Sequence, residues 1–484
     1  MAFIYATRHS KTQMDTETRP SVEEAPVIVL MVPFPAYSHM NQLLQLSCLI
    51  SSYNIPVHYA GSSIHNSLVK NRAYDLDYSQ IQFHDFEIPP FVPDPASNSK
   101  EYLLPYFHVT WHLLLPVGKL IVELASKAKR IIIIHDALTS SAVQHATSIT
   151  AKAETYVFEP ATAFAVLCFL CAEKEKTLPV PSQLELEFKD KIEIPSVEGA
   201  FGDETSKFIT RQGKFMRSSS PSGYLYSACK VIDGGFLDLV AKKENYKKVW
   251  AVGPLHQFTY PTNGRNSIKS RYECLEWLDK QERNSVLYIC FGSMISMADL
   301  DQQLEKLADG LEKSEAKFIW VFTEPHNKKE GVDEGKKGHE LLQGFEERTK
   351  GKGMMVRDWA PQLEILRHQS TGGFLSHCGW NSCVESISCG VPIATWPMHS
   401  DQPMNALLIT DVLKIGVTVK EWARRDEVVS AEKISAAVKT LMDEGHEIRT
   451  RAKDLAAKVQ SATAQEGVSR LECNSFIAHI TRQT

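Results

Sequence analysis

The sequence predicts an α/β protein built from two doubly wound, Rossmann-like domains that face each other across a cleft. Three observations carry that prediction. The chain has 484 residues, more than a single hydrophobic core organises. Short β-rich runs alternate with helical stretches along most of it, the pattern of strand–helix–strand units. The runs themselves are near-continuous Val, Ile and Leu, as in VIVLMV and RIIIIHD, which is how a parallel strand covered by helices on both faces reads.

Residues 1–26 carry seven charged side chains, among them Arg8, Lys11 and Asp15, and no apolar core of a secretory signal. They read as a disordered tail. The first domain is assigned to residues 27–255. In it VIVLMV (27–32) is a strand, PFPAYSH a turn, and an amphipathic helix begins near Met40; RIIIIHD (130–136) is a second strand, followed by a helix over ALTSSAVQHA. Residues 256–272 are polar, hold Pro261 and Gly264, and read as an interdomain linker. The second domain is assigned to residues 273–460. There SVLYICFGS precedes the helical DLDQQLEKLADGLEKS, and FIWVF, GMMVRDW, TGGFLSH and VPIATWP repeat the strand pattern. HNKKEGVDEGKKGHE reads as a surface loop. From about Ser430 the chain is helical and charged, and residues 461–484 are expected to form a helix packing back on the first domain.

The apolar fraction of 43% and charged fraction of 23% are those of a globular protein. Lys plus Arg number 53 against 58 Asp plus Glu, a net charge of −5 without long runs; this argues against nucleic-acid or anionic-membrane partners. No stretch approaches the roughly 18 apolar residues of a membrane span. The ten cysteines sit mostly inside apolar runs such as LSCLI and VLCFLC, as reduced, buried thiols of a cytoplasmic protein do. A monomer is expected.

The densest information runs from Trp359 to Gln402: WAPQLEILRHQSTGGFLSHCGWNSCVESISCGVPIATWPMHSDQ. With its full spacing, from WAPQ through HCGWNS and GVP to WP and DQ, it resembles the plant secondary-product glycosyltransferase box of family-one UDP-glycosyltransferases. FGS after a strand and VWAVGPL before the linker follow the same family. The resemblance covers nearly everything after the tail and implies the two-domain fold known as GT-B, with a UDP-sugar as co-substrate and no cofactor.

The box residues make chemical sense on their own. TGGFLSH reads as a strand and GWNSCVESIS as the helix after it. A helix N-terminus offers unpaired N–H groups and partial positive charge to a diphosphate. His377, Asn381 and Ser382 stand at that end with side-chain donors, and Ser293 ends an earlier strand where a loop reaches the same phosphates. Trp359 offers a face for uracil, Gln362 an amide for ribose or base, and Glu385 a carboxylate for the ribose hydroxyls. Asp401 and Gln402, at another strand exit, suit the sugar hydroxyls. The family pattern assigns these same roles, adding the Ala360 backbone on the uracil and Trp380 beside the sugar. Other readings remain open residue by residue: Ser382-x-x-Glu385 also fits a capping box, the tryptophans fit a core, and Cys378 is a small packing residue, since Cys378, Cys383 and Cys389 lack the paired spacing of a zinc site.

Transfer to an alcohol needs a base for the hydroxyl proton. His39 ends the loop after the first strand, at the carboxyl edge where such sheets bind ligands. The family places its catalytic base here, so His39 inherits that role, although Tyr37-Ser38 stands where relatives commonly have Gln-Gly. Asp136 closes IIIIHD at another strand end, where a carboxylate would orient the imidazole, and the family puts its relay aspartate there. Asp85 and Asp94 are rivals in less regular sequence. His135 points to the other side of the strand and reads as structural. No DxD-like pair sits at a strand end; the DLD segments at 75–77 and 299–301 look solvated. Metal is therefore not expected, and direct attack opposite UDP would turn an α-linked donor into a β-glycoside.

In the family a glutamine at the position of Gln402 commonly accompanies UDP-glucose, which leaves UDP-xylose open. PVHYAG, FHDFEIPPF, IIIIHDALTSS and WPMHSDQP look like the zeatin O-glycosyltransferase group, whose relatives also accept flavonoids and other phenolics. The function implied is glucosylation of a small hydroxylated acceptor such as a cytokinin or a phenolic. Extension of an existing glycoside and a non-catalytic UDP-sugar-binding protein are the alternatives. A dinucleotide oxidoreductase is disfavoured because PFPAYSH replaces the G-x-G-x-x-G turn.

Overall fold

The computed structural model describes residues 25–73, 76–92, 101–172, 175–181, 191–258, 272–292, 301–322, 343–357 and 359–482. The tail up to residue 24, most of the segment assigned as linker, the HNKKEGVDEGKKGHE loop, Asp94 and Ser293 lie outside the described residues.

Strands β1 (Ala25–Val32), β2 (Val57–Ser62), β3 (Ile81–Phe86), β4 (Ala128–Asp136) and β5 (Ala153–Glu159) come first. A two-residue antiparallel pair, β6 (Thr177–Leu178) and β7 (Ile192–Glu193), precedes β8 (Gly223–Tyr226) and β9 (Val249–Ala251). All but that pair form one parallel sheet in the order β3-β2-β1-β4-β5-β8-β9. A second parallel sheet holds β10 (Val286–Cys290), β11 (Lys317–Phe322), β12 (Gly353–Arg357), β13 (Thr371–Ser376), β14 (Ile393–Thr395) and β15 (Gly416–Thr418), in the order β12-β11-β10-β13-β14-β15. In each sheet the chain runs outward from its central strand, then returns to that strand's other side. The switch falls between β1 and β4 in the first sheet and between β10 and β13 in the second, where an open α/β sheet leaves a crevice at its carboxyl edge.

The continuous apolar runs divide between the two faces of each sheet. Val27, Val29 and Met31 join one core with Ile132 and Ile134, while Ile28, Leu30 and Val32 join the opposite core with Ile131 and Ile133. Leu287 and Ile289 likewise face away from Val286 and Tyr288. Alternation at period two with both faces covered is why neither face needs polar residues. Each fully buried aliphatic side chain contributes about 1.5–3 kcal/mol.

Two helices differ from the sequence expectation. The first spans Tyr37–Ser51, three residues ahead of Met40, because the Ala36 carbonyl already accepts from His39 and Met40. The segment after Asp136 is not one helix; it breaks into a 3-10 turn, Ala137–Thr139, and short turns at Ser140–Val143 and Ala146–Ile149. Side chains cap the free first-turn donors of these pieces: Asp136 Oδ1 accepts from Leu138 N at 2.9 Å, and Gln212 Oε1 from Ser141 N at 2.9 Å. The helix Val468–Ile480 lays Cys473, Phe476, Ile477 and Ile480 into the same core as β1. Helix Glu447–Thr463 contributes Ala452, Leu455 and Val459 to a core shared by Trp380 and Met404 of the second half with Phe164 and Phe236 of the first.

Candidate active site between the facing sheets

His39 lies in the first turn of its helix, just past β1; Asp136 is the last residue of β4, the strand paired with β1 across the switch point. His39 Nδ1 and Asp136 Oδ2 are 2.8 Å apart. Asp136 is fully buried, and the imidazole keeps 22% of its exposure. Burial pulls the His39 imidazolium down, but the Asp136 charge and hydrogen bond, with smaller help from Glu159 and Asp401, raise its pKa above 6.5. With Nδ1 held by the carboxylate, Nε2 is the basic nitrogen left for a substrate. The rival Asp85 is elsewhere, accepting from Asn66 Nδ2 at 2.6 Å on the edge strand β3. His135 is buried with Nδ1 2.9 Å from the Asp136 carbonyl.

The second sheet presents its own switch point. His377 follows β13 and packs so closely against Gly292 and Gly379 that a Cβ on either would lie 2.7 or 2.6 Å from its Nε2. Burial pushes His377 down to about 4, against the pull of a hydrogen bond to the Cys290 backbone. The ring is therefore neutral near pH 7, and its buried Nδ1 has no protein partner. Cys378, fully buried, takes the left-handed conformation at φ 67° between His377 and the helix. The helix Trp380–Cys389 starts from Gly379, and its first intrahelical bond is Cys383 N–H to Gly379 O at 3.1 Å. The N–H groups of Trp380, Asn381 and Ser382 are thus the orphan donors, so residues capable of holding a diphosphate converge at this end.

Since Gly379 is the N-cap, with no side-chain cap, Ser382-x-x-Glu385 is not a capping box. Ser382 Oγ and Glu385 Oε2 instead both accept from Gln362 Nε2, at 3.1 and 2.7 Å, which gathers the three polar groups into one cluster. Ala360 is buried nearby, and Trp359 lies 5.6 Å from the Tyr272 ring. Asn381 reaches across the cleft, donating to Ser38 O at 3.0 Å and accepting from Gln42 Nε2 at 2.5 Å. The Trp380 indole is committed to the interface, donating to Ser227 O at 2.9 Å, so only its backbone is left for the helix-end site. Asp401 and Gln402 follow β14. Burial raises the Asp401 pKa, offset in part by the Asn405 amide 2.9 Å away and by His39. Gln402 is 3% exposed, its Oε1 accepting from Met398 N and His399 N at 2.8 and 3.1 Å.

The family described as "Glycosyltransferase, N-terminal domain" matches residues 25–257, and "UDP-glucoronosyl and UDP-glucosyl transferase" matches residues 259–453. The chain is 45% identical to a zeatin O-glucosyltransferase of Phaseolus lunatus over 95% of its own length and 98% of that protein's. The chain belongs to the UDP-glycosyltransferase family. The transferase is also 44% identical to a zeatin O-xylosyltransferase of Phaseolus vulgaris, over 95% and 99% of the two chains. Among solved structures it resembles UGT2 of Phytolacca americana, complexed with UDP-2fluoro-glucose and pterostilbene, at 25% identity and TM-score 0.74, covering 95% and 100% of the two chains. The fold is GT-B, and the reaction is glycosyl transfer to a small-molecule acceptor.

Several residues of the transferase's cleft escape a reading of the sequence. Phe34, 5.1 Å from the His39 ring, packs with Phe107 and Phe208 into an aromatic wall, the last two stacked at 3.9 Å. Glu159 ends β5, whose Phe158 pairs with Asp136; burial, then the Asp136 charge, raise its carboxyl to about 7. Asn405, fully buried, donates to Cys378 O at 3.0 Å as well as to Asp401. Only FEP around Glu159 hinted at any of these, as an acid at a strand's carboxyl end; the rest come together through folding. The ten cysteines are free thiols, seven of them buried. Among the described residues no helix is long and apolar enough to cross a membrane, and no group of three or more His, Cys, Asp or Glu is placed to hold a metal ion.

Proposed function

We propose that the transferase moves glucose from UDP-glucose to a hydroxyl of a small acceptor of the zeatin type, with inversion at the anomeric carbon. The observation that carries this reading is the His39–Asp136 pair, 2.8 Å apart at the carboxyl edge of the first sheet. His39 Nε2 takes the acceptor hydroxyl proton, the oxygen forms its bond to the anomeric carbon, and the bond from that carbon to the diphosphate breaks. Asp136 stabilises the imidazolium as it forms. The leaving UDP is received by the N-terminus of helix Trp380–Cys389 and His377, with Ser293 assigned to the same phosphates by the family resemblance, so that protein donors meet the charge without a required metal. Trp359, Ala360 and Gln362 take the uracil side, Glu385 the ribose, Asn381 and Ser382 the phosphates, and the Trp380 backbone with Asp401 and Gln402 the sugar. A soluble cytoplasmic monomer fits the free thiols and the charge balance.

UDP-xylose is the second donor reading, favoured by nearly equal identity to a glucosyl- and a xylosyltransferase, 45% and 44%. Mass spectrometry decides between them after incubation with UDP-glucose, UDP-xylose or UDP-galactose and with zeatin, a flavonoid or a flavonoid glucoside. A zeatin hexoside from UDP-glucose is expected. A pentoside formed preferentially from UDP-xylose, or products from the glucoside alone, would replace the reading.

A further inference from the structure

The segment between β14 and the helix Gln402–Leu407 carries an imidazole that none of the roles above uses. His399 sits in Met-His-Ser-Asp-Gln beside Ser400, which takes the left-handed conformation at φ 58°. Two backbone donors, Met398 N and His399 N, occupy Gln402 Oε1. That fixes which end of the amide is oxygen and which is nitrogen. Gln402 Nε2 then lies 3.2 Å from His399 Nε2 and 3.4 Å from Nδ1, and the ring's Nδ1 is 2.9 Å from Ser400 Oγ.

The other side of the ring belongs to the first sheet's half of the protein. Tyr102 packs on His399 with ring centroids 5.0 Å apart. Ser400 N donates to Ala200 O at 2.7 Å, and Trp422 Nε1 to Ser196 O at 2.7 Å, holding the two halves together on this flank. Burial, with the neighbouring His377, pushes His399 down to about 3, so the ring is neutral and keeps an acceptor nitrogen across the working pH range.

We propose that His399 is a positioning residue for donor-sugar selection: clamped by Tyr102, it aims the N–H of the Gln402 amide, whose oxygen end two backbone donors already hold, at the sugar. The inference rests on the reading of Gln402 as a sugar contact. An amide that can only donate recognises a hydroxyl by its oxygen, and a site built around one such bond rejects a sugar that places or lacks that hydroxyl differently. The two backbone bonds still hold the amide's oxygen end, but loss of the imidazole leaves its N–H without the partner that aims it, so discrimination falls while the diphosphate site is untouched.

The test uses the full-length protein, with KM, kcat, UDP affinity and the UDP-glucose to UDP-galactose preference measured for four variants. His399→Phe keeps the packing against Tyr102 and removes the acceptor nitrogen. It is expected to raise KM for UDP-glucose about tenfold and lower the preference similarly, with UDP affinity within about twofold of the parent. His399→Gln restores an acceptor and should recover most of the preference. Tyr102→Leu removes the clamp from outside the box and should shift preference in the same sense; it decides the matter if the phenylalanine variant does not fold. Gln402→Ala reads the underlying assignment. If Gln402→Ala changes KM and preference while the His399 and Tyr102 variants leave both unchanged, His399 has no positioning role. If Gln402→Ala changes nothing either, Gln402 does not contact the sugar, and both ideas fall together.

Discussion

His39 and Asp136 are 97 residues apart in the chain, yet Nδ1 and Oδ2 meet at 2.8 Å because β1 and β4 are neighbours across the first sheet's switch point. The pair joins one partly exposed imidazole to one carboxylate with no solvent exposure. A carboxylate so buried strengthens its hold on the ring, since little water competes for it.

His39→Ala should lower turnover by roughly a hundredfold to ten-thousandfold, the range of a positioned general base, with UDP affinity unchanged. Because the His39 pKa is raised, activity should fall as pH drops through a value above 6.5, where the base becomes protonated. Asp136→Asn removes the charge that favours imidazolium, so this acid limb should move to lower pH while the plateau falls. Initial rates across pH on one aliphatic alcohol check both statements. An acid limb that stays in place in Asp136→Asn would show that another group sets it, with Glu159, raised to about 7, next in line.

UDP binding should depend on the second sheet's residues. His377→Ala and Glu385→Ala should each weaken UDP by roughly 1–3 kcal/mol, the loss of a hydrogen bond to a charged or buried partner. Titration calorimetry measures it, with circular dichroism verifying the fold. Unchanged affinity in both variants would remove the nucleotide from this helix end.

Turnover should survive EDTA if, as proposed, the leaving diphosphate is received by helix N–H groups and His377 without a required cation. Rates with and without chelator are the measurement. Complete loss, restored by magnesium or manganese, overturns this part of the mechanism.

The aromatic wall beside His39 gives a fourth expectation. Phe208 is 5% exposed and stacks on Phe107 at 3.9 Å. Phe208→Ala should cost about 3–5 kcal/mol of stability and raise the acceptor KM, leaving the UDP affinity as it was. Denaturant unfolding and acceptor kinetics test it together. An unaltered acceptor KM would place the acceptor elsewhere in the cleft.

Local pattern was enough to read two parallel-sheet halves and the donor box. Strands such as VIVLMV and IIIIHD are apolar on both faces, and the box is contiguous, so its spacing is visible without folding. Past Asp136 the pattern misled: the single helix expected there is a capped 3-10 turn and two separate short turns.

The sequence by itself determined the two-sheet α/β architecture and named His39, Asp136 and the box residues as candidates, since periodicity and contiguous motifs are local properties of the chain. Tertiary structure alone decided what those residues touch. It set Asp136 rather than Asp85 against the imidazole, turned the Asn381 amide to Ser38 and the Trp380 indole to Ser227, and brought Tyr102 on to His399. The physical reason is strand order: a parallel sheet that reverses direction of growth at β1 and β10 brings distant carboxyl ends side by side, and no local pattern records which ends those will be.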